Sequence, residues 1–239
     1  MVEFQKRQGT CRIDHNGKGG FFLAVSTIIT VGRQYGSGGR YVARLLAEKL
    51  GIPFYDKELL AEVAKDSGFN EELLQEHDEK NTRGFLFSMM GSGQTLGDSG
   101  SMYLDMPLNH RIFLAQFDTI RRIAGQGPCV IVGRCADYVL RDQPKVLNVF
   151  IKADREERIR RIVEYYGADA LRAEEMIKKS DKQRASYYNY YATGTWGDVN
   201  NYDLCVDTGA LGIVGAVDLI ADCVDIMERN DKDKDPKVW

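Results

Sequence analysis

The segment that most constrains this chain is Gly32 to Tyr41, GRQYGSGGRY, in which four glycines and two arginines stand between an apolar run and an amphipathic one. From Phe22 to Val31 the residues are apolar and β-branched and stop abruptly at Gly32, the pattern of a buried parallel strand entering a turn. From Gly39 to Leu50, Val42, Leu45, Leu46 and Leu50 recur at helical spacing with charges between them. Glycines let a backbone turn tightly and aim several N–H groups at one point, and the helix that follows adds the positive end of its dipole. A strand, a glycine loop and a helix in that order form a cradle for phosphate.

The rest of the chain repeats the alternation. Gly51 is a C′ residue for the first helix, and Ile52 to Tyr55 reads as a short strand ending at Asp56. Helical pattern follows over Lys57 to Lys65, Asn70 to Lys80 and Asn109 to Ala124, then a strand over Cys129 to Val132 that ends at Gly133 and Arg134. Val146 to Ile151 is another strand, Arg155 to Tyr166 a charged helix, and Ala173 to Tyr191 a long helix with a basic and aromatic face. Leu204 to Val206 makes a last strand ending at Asp207, and Gly212 to Arg229 closes the chain as a helix. Strands alternating with helices call for a parallel sheet covered on both faces, with ligands at the carboxyl ends of the strands. The organisation expected is a loose extension over 1–22, one domain over 23–229, and a charged tail over 230–239. Within the domain, about 57–110 is an acceptor-side helical segment, about 173–200 a lid, and the Gly/Ser/Met-rich stretch Gly84 to Gly100 a mobile connection.

Charge and cysteine usage narrow the function. With 32 Lys and Arg against 35 Asp and Glu there is no global positive field to hold nucleic acid, so any basic site is local. The five cysteines are scattered with no CxxC pair, which fits a reducing cytoplasm rather than a disulfide framework or a zinc site. The longest apolar run, Phe21 to Val31, is far shorter than the roughly 20 residues that cross a bilayer. His15, His77 and His110 lie near no nucleophile, so no hydrolase triad is visible.

The loop departs from the strict phosphate-loop pattern GxxxxGK followed by Ser or Thr. One register leaves Gly39 where the lysine belongs; the next puts Arg40 there and Tyr41 in the hydroxyl position. Arg40 or Arg33 can replace the missing charge, and Ser37 can offer a hydroxyl.

The segment ITVGRQYGSGGRYVARLLAEKLGIPFYDKELL, with VIVGRCADYVL, VFIKADREERIRRI and DLCVDTGALG in order, resembles the cytidylate-kinase-like family, a branch of the P-loop nucleoside monophosphate kinases, over roughly residues 27 to 228. The resemblance implies an α/β three-layer fold, a central parallel sheet with helices on both faces and a helical lid. It implies ATP and Mg²⁺ as cofactors and a small nucleotide acceptor, most simply a pyrimidine monophosphate such as CMP, with no nucleic-acid or membrane partner. By the same resemblance Asp56 falls at the acceptor site and Arg134 of GRCAD grips the acceptor phosphate, with Cys135 where the family has Asp and Asp137 two residues on. Asp181 and Arg184 of DKQR match the lid's DSxR, and Val206, Asp207 and Thr208 match a late IDT. Gly36, Ser37, Gly38, Gly39, Arg40, Arg33 and Tyr41 are then the donor side, and Arg40, Arg134 and Arg184 the catalytic arginines; no metal-ligating side chain is assigned.

Each position has a plainer reading. Asp56 can cap the helix after it, Arg184 can be a surface residue, and Tyr187, Tyr188, Tyr190 and Tyr191 can pack rather than stack on a base. Arg158, Arg160 and Arg161 read as a solvated helix face with one member reaching inward. Without the loop lysine, a kinase of a non-nucleotide small molecule, a nucleotide-binding protein that does not turn over, or a nucleic-acid module using the basic lid are the alternatives.

Overall fold

The computed structural model describes the backbone of residues 11–13 and 19–21 and the full residues of 25–78 and 106–230. The expected mobile connection at 84–100 and the tail from 231 lie outside the described residues. Near the N-terminus, β1 (Cys11–Ile13) and β2 (Gly19–Phe21) pair antiparallel, more structure than the patternless extension predicts.

Five parallel strands make the central sheet in the order β4-β5-β3-β6-β7: β3 (Ile28–Arg33), β4 (Phe54–Tyr55), β5 (Val130–Val132), β6 (Val146–Lys152) and β7 (Leu204–Asp207). The helices are α1 (Gly39–Leu50), α2 (Glu58–Ser67), α3 (Glu71–His77), α4 (Leu108–Ala124), α5 (Ala136–Val139), α6 (Arg155–Tyr166), α7 (Ala170–Tyr191) and α8 (Thr208–Asn230). Pleating sends alternate residues of β3 to opposite faces. Ile29 and Val31 pack with Val42 and Leu46 of α1 and with Val217, Ile220 and Val224 of α8. Ile28 faces the other way, onto Leu59, Leu60 and Val63 of α2 and Ile120 of α4. These two cores make the three layers.

Three boundaries differ from the sequence reading. The central ladder runs over Ile28–Arg33, not from Phe22, because the N–H groups of Ser26 and Thr27 go to the Glu228 carboxylate instead of to a neighbouring strand. The long helix begins at Ala170, three residues early, where Asp169 caps it by accepting from Arg172 N. The closing helix starts at Thr208 but is broken at Gly212 (φ 68, ψ 175), which is where the sequence places its start.

Candidate functional site: a glycine loop facing two paired arginines

The loop between β3 and α1 needs its glycines for conformation and for space. Gly36 (φ 78) and Gly38 (φ 77) take left-handed backbone that L side chains rarely adopt. A Cβ on Gly39 would lie 2.6 Å from Arg33 Cβ and 3.1 Å from Ile151 Cβ, and one on Gly38 would lie 2.5 Å from Ile213 Cδ1. The loop's outer side is bolted down: Arg161 Nη1 donates to Ser37 O (2.7 Å) and Thr208 Oγ1 donates to the same carbonyl (2.6 Å). Ser37 is wholly buried, and its hydroxyl donates inward to Gln34 O (2.8 Å), so the hydroxyl expected to face a ligand is turned into the protein here.

Across the carboxyl edge of the sheet, β5 runs into Gly133, Arg134 and Cys135, three successive residues with positive φ (74, 53 and 55). For the two non-glycines this conformation costs about 1–3 kcal/mol each, and such strain collects where a side chain must be aimed. The aim is evident. Arg134 is 2% exposed; its Nε and Nη2 donate to Asp78 (3.0 and 2.7 Å) and its Nη1 to Val132 O (3.1 Å), with Asp56 Oδ1 at 3.4 Å. Asp56, buried at the end of β4, takes Arg40 Nε on its other oxygen at 2.5 Å. The plain reading of Asp56 as a helix cap therefore does not hold: α2 has no side-chain cap, and the carboxylate sits between two guanidinium groups. Arg40, expected over the donor phosphates, is tied to this carboxylate. Tyr41, expected in the hydroxyl position, is exposed on α1 beneath Arg44.

Helix α7, which spans most of the expected lid, packs against the loop. Asp181 accepts from Tyr35 N (2.7 Å) and from Arg158 Nη1 (2.5 Å), which puts it against the glycine loop. Arg184 is half-buried: its Nη1 donates to Arg33 O (3.3 Å) and its guanidinium covers the Tyr35 ring. Farther along, Tyr187, Tyr188 and Tyr191 are buried packing, Tyr191 stacked on Phe113 at 4.0 Å. Tyr188 donates to Asp137 Oδ2 (2.6 Å); burial raises the Asp137 carboxyl above its usual range, with the hydrogen bond from Tyr188 working the other way. The end of β3, the strained turn and α7 line a common cleft, with Arg33, Arg134, Asp137 and Arg184 in its wall.

Sequence reasoning missed two participants. Asp78, which holds Arg134 from two sides, sits in the charge run EHDEK and has nothing to distinguish it. Arg158 and Arg161 both reach inward while Arg160 stays in solvent, where only one inward member was expected; spacing by three residues puts 158 and 161 on one face and gave the available signal.

The parallel order, the helices on both faces and the glycine loop after the central strand define a P-loop kinase-type α/β enzyme. The model of the cytidylate kinase-like family matches residues 28–210, and the chain belongs to that family. It is similar to the cytidylate kinase of Methanopyrus kandleri, 24% identical over 219 residues covering 87% of this chain and 99% of the relative, and to that of Archaeoglobus fulgidus, 24% identical over 205 residues covering 83% and 94%. Among solved structures, an uncharacterized protein from Eubacterium ventriosum is 34% identical with a TM-score of 0.63, covering 83% of this chain and 98% of that one. Among the described residues no helix is long and apolar enough to cross a membrane.

Proposed function

We propose that this chain transfers the γ-phosphoryl group of ATP to a pyrimidine nucleoside monophosphate such as CMP. The observation that carries the reading is Arg134, a buried guanidinium on strained backbone, lining the same cleft as the strand end and lid residues that flank the glycine loop. Phosphoryl transfer asks little covalent chemistry of a protein and a great deal of in-line positioning and charge neutralisation. In this scheme the N–H groups of residues 36–39 and the start of α1 hold the donor phosphates, and Arg134 holds the acceptor phosphate. Asp56 and Asp78 keep Arg134 aimed, and Arg40 adds charge on the acceptor side. Arg184 and Arg33 bring charge to the transferring group, and Asp137 faces the acceptor. The named activity of the archaeal relatives supports the choice of CMP.

Mg²⁺, when bound, neutralises charge on the transferring phosphates. Among the described residues no group of three or more His, Cys, Asp or Glu is placed to hold a metal. The cleft fits an ion held by phosphates and water with at most one or two carboxylates, the usual habit of Mg²⁺.

The test is ADP release and product identity with ATP, Mg²⁺ and a panel of CMP, dCMP, UMP, AMP and GMP or no acceptor. ADP formed with a single acceptor supports the reading and names the substrate. A second reading, a nucleotide-binding protein without turnover on the same fold, is favoured by Gly39 in the lysine position. ATP binding with no ADP from any acceptor would select it, and tight binding of a generic oligonucleotide at low salt would instead point to nucleic acid.

A further inference from the structure

The glycine loop carries no lysine, since Gly39 stands in that place and Arg40 is paired with Asp56. A polyphosphate chain carries several negative charges, and backbone dipoles alone neutralise only part of them. A buried cation does face the loop, from α6. Arg158 is 9% exposed; its Nη1 donates to the Tyr35 carbonyl (3.2 Å) and to Asp181 Oδ2 (2.5 Å), and its Nε is buried with no partner. The second oxygen of Asp181 accepts the loop's own Tyr35 N–H at 2.7 Å.

A carboxylate held by one backbone N–H of a glycine loop and one buried guanidinium has the surroundings of a bound phosphate oxygen pair. A simple pin between α6 and α7 would not require the loop. Those helices already pack through Ile162, Ala173 and Ile177, with Tyr35 against them. It is the use of the Tyr35 N–H, together with an unpartnered Nε nine-tenths buried beside it, that marks the place as an anion site.

We propose that Arg158 and the Tyr35 N–H form a donor-phosphate subsite, and that Asp181 of the lid helix occupies it as an internal stand-in which the donor's phosphate displaces. The assignment rests on the phosphotransferase reading above. The exchange is of one anion for another: the carboxylate leaves with α7, the phosphate takes the same two donors, and the added negative charge of a phosphate favours the replacement next to a guanidinium. Arg158 thereby supplies the charge the loop sequence lacks, and donor binding is coupled to release of the lid at Asp181.

The experiment is calorimetric titration of inorganic tripolyphosphate and of ATP into the full chain, wild type, Asp181→Asn and Arg158→Ala, with thermal melting of each. Loss of the competing charge is expected to make Asp181→Asn bind both about tenfold tighter, and loss of the guanidinium to make Arg158→Ala bind both at least about tenfold weaker. Equal or weaker binding by Asp181→Asn, or unchanged binding by Arg158→Ala, overturns the subsite. Should a variant fail to fold, the wild type alone decides: its Asp181 side-chain carboxyl ¹³C resonance is expected to shift on adding tripolyphosphate, and an unmoved resonance at saturation overturns the exchange. ATP turnover with Asp181→Asn binding like wild type removes this subsite and leaves the kinase reading; no binding of ATP or tripolyphosphate by any form removes both.

Discussion

Two buried carboxylates stand at opposite edges of the sheet and are satisfied by different chemistry. At the amino edge, Glu228 from the end of α8 accepts from Ser26 N (2.6 Å), Thr27 N (2.7 Å), Thr27 Oγ1 (2.7 Å) and Ser26 Oγ (2.8 Å), with Lys145 Nζ at 3.7 Å. At the carboxyl edge, Asp56 is satisfied by guanidinium groups, Arg40 at 2.5 Å and Arg134 at 3.4 Å. Short hydroxyls and backbone amides have no reach and serve one partner, so Glu228 fastens the chain's last helix to its central strand. Arginines carry five donors on a long stem, so the carboxylate that holds them fixes the direction of two guanidinium groups at once. One edge ties a carboxylate to backbone and hydroxyl donors, and the other gathers guanidinium groups, which suits the proposed role in binding phosphate.

The largest expected effect tests the carboxyl edge. Arg134→Ala should lower kcat/KM by about 10²–10³-fold, the scale of removing one group that stabilises transition-state charge, and should leave Asp56 and Asp78 without their shared partner. A drop of less than tenfold in a folded variant would break the comparison. Next is the amino edge: Glu228→Ala should cost about 2–4 kcal/mol, since it deprives several buried donors at once, and lower the melting temperature by several degrees while activity per folded molecule stays within about twofold. If activity fell with stability intact, the division of labour between the edges would be wrong.

Gly39→Ala is smaller. The added methyl would meet Arg33 Cβ and Ile151 Cβ, and an overpacked contact of this kind costs about 1–3 kcal/mol, read as weaker ATP binding and a lower melting temperature.

The smallest effect is on pH dependence and sharpens the contrast. Burial pushes the Glu228 carboxyl up, but the hydrogen bonds from Thr27 and Ser26 outweigh it and hold the group below its ordinary 4.5. A lowered folded value means stability that is present above 4.5 and lost as pH falls through the folded value. Asp137, raised from 3.8 by burial in the cleft wall, contributes with the opposite sign, its share being lost as pH rises through its folded value. Urea unfolding between pH 3 and 6 should therefore show an acid-side loss of stability that flattens in Glu228→Gln; an unchanged slope would show that Glu228 is not its source.

How much of this was legible depends on whether the deciding interactions are local. The apolar period, the glycine loop and the abrupt strand ends at Gly32 and Gly133 follow from residues within a few positions of one another, so they read directly as a parallel α/β sheet. Arg134 stood out for the same reason, a charge at the tip of a buried strand. The partner of a charge did not. Spacing puts Arg158 and Arg161 on one face but does not say which carboxylate they meet, nothing local separates Asp78 from its neighbours in EHDEK, and Thr27 meets Glu228 across a separation of 201 residues. The sequence by itself determined the secondary-structure alternation, the loop and the edge of the sheet that carries the site, because backbone conformation and hydrophobic period are short-range properties. Only the tertiary structure decided which carboxylate holds which arginine and which carboxylate the loop amide donates to, because buried charges choose among partners that folding alone brings into contact.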